Sequence, residues 1–388
     1  MRGPLGRIVA TFVAGFLGFA LVVLALWARD GQAGDRFDLV RWELDTIPNR
    51  WVAALGEPFR DDPAEGGDDA IRDYFALPPT DPARAPLENE VEDAVEGRID
   101  EVLQELGVNA RLNIPGTVMP PVDIELAIAP QVLVTSPRSV IERERTDLLR
   151  PDLALARALE IEDETVEADP SLSALVVPSG GVATYPAIVS DRSSYVGLVR
   201  TAAHEWVHHY LAFYPLGFNY FRSGDLRTIN ETVADIVGEE VAGIVLERWG
   251  DPTAPAPAEA PAVPSYPEAE PAPPRVDRNE VLRELRLEVD ALLAEGRIDE
   301  AEARMAEVRD ELEEAGYYIR EINQAYFAWY GTYAARPDAV DPLGDYLREI
   351  RERTGSLPEF LETIRGWTSR EDVEQGLVAL GGTLEEVP

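Results

Sequence analysis

The sequence predicts an α+β protein with an N-terminal transmembrane helix, a core made of a small sheet and two long helices, and a helical C-terminal lobe. Three observations favour this fold class. Residues 8–28 carry no charge, short runs rich in Val and Ile precede two longer segments with apolar residues at helical spacing, and leucines recur at helical spacing near the C-terminus. The predicted domains are an anchor (1–29), a helical juxtamembrane segment (30–86), a core (87–250), a linker (251–276) and a C-terminal lobe (277–388).

The N-terminal segment is long and apolar enough to span a bilayer, because about 21 helical residues at 1.5 Å each reach roughly 30 Å. Arg2 and Arg7 precede it and acidic residues follow it, so the positive-inside rule predicts a cytoplasmic N-terminus and an extracytoplasmic body. A cleaved signal peptide is the alternative. We favour an uncleaved anchor, since the apolar run is long and residues 26–28 form a poor cleavage site.

The composition excludes two classes of partner and chemistry. The chain has 388 residues and a net charge of −37, which repels nucleic acid, so no nucleic-acid partner is expected. It contains no cysteine, so disulfides and thiol chemistry are excluded.

The region between the anchor and the two long helices predicts alternating helices and strands. Amphipathic spacing predicts helices, and short apolar runs predict strands. The predicted helices are 37–60, 87–106, 139–149 and 153–167, and the predicted strands are 122–129, 132–135 and 174–177.

One more strand is predicted immediately before the first long helix. A Pro-Ser-Gly-Gly turn at 178–181 leads into residues 182–189, which are mostly apolar. Pro186 cannot donate to a ladder, so we expect an edge strand. An edge strand with a proline is also typical of a hairpin that is protected against aggregation, with no role in binding.

The first long helix, predicted from Ser193 to about Tyr214, carries two histidines on one face. His204 and His208 are one turn apart, so their imidazoles can bind one tetrahedral metal ion, with Glu205 beside the open position. His209 points about 100° away from His208 around the helix, which favours a packing or supporting role.

The second long helix, predicted from about Thr228 to Gly250, supplies a third candidate ligand. Residues 215–224 contain a proline and glycines that break the first helix and return the chain. Glu231 can then face the two histidines. Asp235 lies one turn further on and can accept the free ring N–H of a metal-bound histidine.

These residues resemble a known family, the gluzincin metallopeptidases, which include thermolysin and the zinc aminopeptidases. The pattern His-Glu-x-x-His followed by Asn-Glu-x-x-x-Asp is matched residue by residue, over about 173–250. The resemblance implies a gluzincin-like core that binds one Zn²⁺ per chain through His204, His208 and Glu231. It implies Glu205 as general base, and the matching residues Asp235 and Asn230 as supports.

The resemblance also implies a substrate-binding strand and an oxyanion donor. The strand over the active-site helix would pair with the substrate backbone, so that Thr184, Tyr185 and Ala187 line the cleft. Gluzincins complete their site with a Tyr or His after the metal helices, and all three histidines of the chain lie at 204–209. Tyr330 is the first candidate and Tyr326 the second.

Alternatives to this tyrosine assignment stay open. An aromatic stripe such as 326–333 is also typical of core packing. If the stripe is core, the oxyanion donor is expected near Tyr214 or Tyr220, in the segment between the metal helices.

The remaining segments predict structure without recognisable chemistry. Residues 251–274 are dominated by Ala, Pro and Glu, which predicts an extended or disordered linker. A charged helical hairpin is predicted at 278–295 and 299–316, and two further helices at 342–368.

Together the residues and the resemblance predict a single-pass, outward-facing zinc metallopeptidase of the bacterial membrane-anchored type, which cleaves a peptide or protein substrate. Exopeptidase and endopeptidase action both remain open. The alternative is a catalytically silent, zinc-stabilised binding or scaffold protein at the membrane. The intact Glu205 argues against it, since a metal with a purely structural role needs no base beside it.

Overall fold

The computed structural model describes residues 34–39, 41–42, 64–108, 118–255, 276–331 and 340–384. About 58% of the described residues are helical. In the described residues the α-helices are α1 (Asp68–Ala76), α2 (Ala85–Leu106), α3 (Leu155–Ala168), α4 (Tyr195–Leu211), α5 (Pro215–Phe218), α6 (Gly224–Trp249), α7 (Arg278–Ala294), α8 (Ile298–Glu314), α9 (Gln324–Tyr330), α10 (Leu343–Arg353), α11 (Leu357–Ile364) and α12 (Arg370–Ala379). A 3₁₀ turn spans Pro82–Arg84.

The described strands form two small sheets of three strands each. They are β1 (Ile124–Ala127), β2 (Gln131–Pro137), β3 (Arg145–Leu149), β4 (Leu172–Pro178), β5 (Gly181–Val182) and β6 (Ala187–Ser190). One sheet has the order β1-β6-β5, with β1 and β6 parallel, and the other is antiparallel with the order β3-β2-β4. The turn between β4 and β5 joins the two sheets. Gly181, at the start of β5, lies against Thr201 and Glu205 of α4.

Helices α4 and α6 pack closely against each other, and serine side chains cap their first turns. The Ser194 hydroxyl accepts the Gly197 N–H, and the Ser223 hydroxyl accepts the Leu226 N–H. Helix α6 therefore begins at Gly224, one turn before the predicted start at Thr228. A Cβ added at Gly238 would lie 3.0 Å from the Arg200 carbonyl oxygen, so a glycine here permits the close approach of the two helices.

Two large hydrophobic clusters organise the described residues. The first contains the inner faces of α1, α2, α4 and α6, part of the β1-β6 pair, and α10 to α12. The second contains β2 and β4 with helices α7, α8 and α9. The segment predicted as one C-terminal lobe, 277–388, thus contributes to both clusters.

The predicted fold class needs correction in two respects. The protein is predominantly helical and its strands form two separate small sheets, where an α+β core with one small sheet was expected. The strands are only two to seven residues long, so most of the core is buried by helices.

The second correction concerns the membrane. Among the described residues, no helix is both long enough and apolar enough to cross a bilayer. The 22-residue α2 and the 26-residue α6 have the length, but acidic side chains recur along both. The predicted span at 8–28 lies outside the described residues. The predictions of a transmembrane helix, of the membrane as a partner and of single-pass localisation are therefore not supported.

Two local predictions were also wrong. The helix predicted over 139–149 is in fact the hairpin return into β3, whose residues pair with β2 from Thr135 to Gln131. The strand before α4 was expected at an edge, yet β6 is the central strand of its sheet. Pro186 precedes β6 and stands outside its ladder, so its missing N–H does not exclude a central position. The predicted linker falls largely outside the described residues, at 256–275, as does most of the helix predicted over 37–60.

Candidate metal centre

Three side chains converge where the middle of α4 faces the second turn of α6. His204 and His208 point from one face of α4, and Glu231 points from α6 toward both. Their donor atoms all lie within 4.8 Å of one another. The group was expected from the sequence spacing, and the structure brings all three members together.

The spacing of the donor atoms fits one tetrahedral metal ion. The Nε2 atoms of His204 and His208 are 3.2 Å apart, and Oε2 of Glu231 lies 3.4 Å and 3.7 Å from them. Ligands held at roughly 2.0–2.2 Å from a tetrahedral zinc ion lie roughly 3.3–3.6 Å from each other. Two imidazoles and a carboxylate are also a donor set that zinc prefers. The residues therefore fit a metal ion of this kind.

Residues of α6 hold both imidazoles so that their Nε2 atoms face the cluster. Nδ1 of His204 lies 3.0 Å from Oδ1 of Asp235, and Nδ1 of His208 lies 2.7 Å from Oδ1 of Asn230. An Nδ1–H bonded in this way leaves the Nε2 lone pair free for a metal. Asn230, Glu231 and Asp235 thus act together, since one provides a ligand and two orient the other ligands.

The cluster strongly stabilises positive charge. Burial alone would lower the pKa of His204, but the hydrogen bonds that its ring donates to Asp235 and Glu231 raise it to about 10. Burial alone would raise the pKa of Glu231, yet the two imidazoles hold it well below its usual range. A buried site that retains an ionised carboxylate and favours a cation also favours a metal ion, which must displace the proton from His204.

Glu205 lies beside this cluster and is almost fully enclosed. Its side chain is on α4, and the residue is only 6% exposed. Burial raises the pKa of its carboxyl to about 7, against the opposing effect of His204. A Cβ added at Gly181 would lie 2.6 Å from Oε1 of Glu205, so the β4-β5 turn passes directly over this carboxyl. A carboxyl with this pKa can accept and return a proton near neutral pH.

Tyr220 contacts the cluster, although the sequence indicated it only as an alternative oxyanion donor. It lies in the segment between α5 and α6, and its hydroxyl donates to Oε1 of Glu231. Burial, followed by the negative charge of Glu231, raises the pKa of this hydroxyl, which therefore stays protonated. Tyr214, the other alternative donor, instead meets the guanidinium of Arg365. The sequence indicated only that both tyrosines lie between the two long helices. The structure was needed to show that Tyr220, and not Tyr214, contacts Glu231.

A cavity of about 600 Å³ opens beside His204 and Glu205. The β4-β5 turn, α4 and the start of α7 line it, and α9 contributes Trp329 and Tyr330. His204, Glu205 and Asp235 form part of its wall. Tyr330 therefore faces the same space as the candidate base, whereas Tyr326 is 5% exposed and packs in the second hydrophobic cluster.

The residues predicted to bind substrate lie mostly inside the protein. Thr184 is buried, and its hydroxyl bonds the Pro186 carbonyl oxygen and the Ile188 N–H. Ala187 is buried in β6, and Tyr185, at 44% exposure, is the accessible member of the three. The cavity is lined instead by Gly180 and Gly181.

His209 supports this segment from α4. Its Nε2 lies 2.6 Å from the Thr184 carbonyl oxygen, and burial lowers its pKa to about 4. The imidazole is therefore neutral and donates to that carbonyl. His209 has a positioning role and does not belong to the metal-binding group.

Comparisons of the chain with profiles of protein families, with characterised proteins and with solved structures find no match. The assignment of His204, His208 and Glu231 as a candidate metal-binding group therefore rests on their geometry.

Proposed function

We propose that the protein is a zinc-dependent peptidase of the gluzincin type, in which His204, His208 and Glu231 hold one Zn²⁺ and Glu205 is the general base. The observation that carries this proposal is the convergence of the three donors beside a buried fourth carboxyl. The sequence pattern supports it, because Asn230 and Asp235 each bond the Nδ1 of a different histidine.

The residues around the cluster account for the steps of peptide hydrolysis. A bound zinc ion would supply an activated water molecule and polarise the scissile carbonyl. Glu205, buried beside the cluster, accepts the proton of the attacking water and delivers it to the leaving amine. The cavity over Glu205 is large enough for a short stretch of peptide.

A tyrosine hydroxyl is proposed to stabilise the oxyanion. Tyr330 remains the first candidate, because it lines the cavity beside Glu205. Tyr326 is a weaker candidate, since it packs within a hydrophobic cluster. Tyr220 is a third, although its hydroxyl already donates to Glu231. Such a donor acts by bonding the charge that develops on the carbonyl oxygen in the transition state.

The experiment is metal analysis with a mixed-peptide cleavage assay, on the full chain and on Glu205→Gln. We expect one zinc ion per chain in both proteins and cleavage only in the parent, because glutamine keeps the shape of the side chain but accepts no proton. Equal cleavage by both proteins would rule out Glu205 as the base. Zinc without cleavage in the parent would favour the binding or scaffold function.

A further inference from the structure

Two arginines meet on the side of the metal-binding group where Tyr220 lies. Arg143 is in the hairpin between β2 and β3, and Arg227 is in the first turn of α6. Nη1 of Arg227 donates to the backbone carbonyl oxygen of Arg143 at 3.3 Å. The hairpin and the metal helix are thus joined by two cationic residues.

Aromatic rings hold both guanidinium groups. The guanidinium carbon of Arg143 is 5.1 Å from the centroid of the Trp329 ring, and that of Arg227 is 6.0 Å from the centroid of the Tyr220 ring. Cation–π contacts of this kind restrict the orientation of an arginine side chain.

The pair lies within electrostatic range of the metal-binding group. The Tyr220 hydroxyl donates to Glu231, and Arg227 stacks against the same tyrosine. Arg143 is also among the charges that hold down the pKa of Glu231, after the opposing effect of burial and the larger effect of the imidazoles. An anion held by the arginines would therefore lie on the Tyr220 side of the candidate metal-binding group.

Within the described part of the chain, neither guanidinium forms an ion pair with a carboxylate. Nε and Nη2 of Arg143 are buried and make no hydrogen bond to those residues. Burial, followed by the positive charge of Arg143, lowers the pKa of Arg227. Glu142 and Glu231 are the acids whose charges act on Arg227. Other arginines of this acidic chain bind carboxylates directly, as Arg157 and Arg304 do.

The arginine pair lies behind one wall of the cavity over Glu205, which Trp329 forms. Trp329 lines the cavity and also stacks against Arg143. A peptide in the cavity that extends past Trp329 would approach Arg143. Buried guanidinium N–H groups next to a substrate-sized cavity are suited to a carboxylate, which accepts two parallel hydrogen bonds from an arginine.

We propose that Arg143 and Arg227 form a binding site for a carboxylate of the peptide substrate, either its C-terminal carboxylate or an acidic side chain. The inference deepens the proposed peptidase function and rests on it. It makes the protein selective for substrates with a negative charge at a fixed distance from the scissile bond, despite the acidity of the whole chain.

The test is equilibrium dialysis of three peptide pools against the zinc-loaded full chain with Glu205→Gln, which prevents turnover. All pools are N-acetylated random tetrapeptides. The first has a free C-terminal carboxylate and no Asp or Glu, the second is its C-terminal amide, and the third is an amide that includes Asp and Glu. We expect the first or the third pool to bind about 10-fold to 100-fold more tightly than the neutral second pool. The tighter pool identifies the source of the carboxylate.

The arginine variants test the assignment to this pair. Arg143→Gln and Arg227→Gln, each added to Glu205→Gln, should reduce the preference to nearly one while the zinc content is unchanged. Arg222→Gln removes the same charge from an exposed side chain in the neighbouring loop and should keep the preference. The corresponding Lys variants should keep part of it, because lysine retains the charge without the planar fork.

Three results would overturn the inference. The neutral pool could bind as tightly as both charged pools, the preference could survive in both Gln variants and so come from the metal, or Arg222→Gln could abolish it equally. If a Gln variant fails to fold, the Lys variants and the comparison of pools on the Glu205→Gln protein test the arginine site.

Cleavage by the protein with Glu205 intact tests the peptidase separately. Cleavage without carboxylate preference refutes only the arginine site, and preference without cleavage refutes only the peptidase.

Discussion

The two walls of the site differ in how they are built. On one side, helices α4 and α6 carry buried polar side chains, and the two histidines, Glu231, Asn230 and Asp235 bond one another across the helix pair. On the other side, α9 belongs to a separate hydrophobic cluster and presents the aromatic residues Trp329 and Tyr330 to the cavity. We call the α4–α6 side the first wall and the α9 side the opposite wall. We expect substitutions on the first wall to change metal affinity and substitutions on the opposite wall to change substrate turnover.

The largest effect is expected from the ligands on the first wall. Replacement of His204, His208 or Glu231 by Ala should abolish tight zinc binding, because each removes one of three donors from a buried site that cannot replace it. Zinc content after dialysis and competition with a chelator measures this. The loss should exceed that from any change to a residue that only orients a ligand. A Glu231→Ala protein with parental zinc affinity would show that the third ligand lies elsewhere.

The opposite wall should affect turnover and leave the metal in place. Tyr330→Phe removes one hydroxyl from the cavity, and if that hydroxyl bonds the oxyanion, kcat should fall by about 10²-fold to 10³-fold with little change in KM. Zinc content and thermal unfolding should remain parental.

Tyr326→Phe, on the same helix, should lower kcat less than Tyr330→Phe, because Tyr326 is buried in the hydrophobic cluster. Tyr220→Phe should instead weaken zinc binding, since its hydroxyl bonds a ligand. If neither Tyr330→Phe nor Tyr326→Phe changes kcat, the aromatic stripe of α9 is only packing.

The sequence predicted the first wall far better than the second. His204, His208, Glu231 and Asp235 lie on two helices, and helical periodicity alone determines which of them share a face. The cavity wall depends on contacts between distant segments, such as the β4-β5 turn over Glu205 and α9 over the same space. No local pattern encodes these contacts, so Gly181 and Arg143 were not singled out.

Strand predictions failed for a related reason. Residues 145–149 are half polar and read as part of a helix, but pairing with β2 makes them a strand. Pro186 suggested one edge strand over the whole of 182–189. Val182 instead ends the edge strand β5, and the central strand β6 begins at Ala187, after Pro186. In both cases a tertiary pairing outweighed the local pattern.

A smaller loss of metal affinity is expected from the residues that orient the ligands. Asp235→Asn and Asn230→Ala should each weaken zinc binding by about 10-fold to 100-fold, because the imidazoles lose the partners that fix their Nε2 direction. Competition with a chelator of known affinity measures the change. Arg200, which is 3.8 Å from Asp235 and mainly paired with Glu239, provides a comparison, and Arg200→Gln should change zinc affinity less. Equal effects would mean that general electrostatics dominates.

The smallest effect tests how closely the first wall must pack. An added Cβ at Gly238 would lie 3.0 Å from the Arg200 carbonyl oxygen and 3.2 Å from Cβ of His204, whereas one at Gly243 on the same helix meets nothing within 4 Å. Gly238→Val and Gly243→Val have the same intrinsic effect on a helix, so their difference reports packing between α4 and α6. Overpacking should make Gly238→Val less stable by about 1–3 kcal/mol, measured by denaturant unfolding. It should also weaken zinc binding, since α4 and α6 carry the ligands separately. Equal stability and zinc affinity in the two variants would mean that the helix pair can separate without disturbing the site.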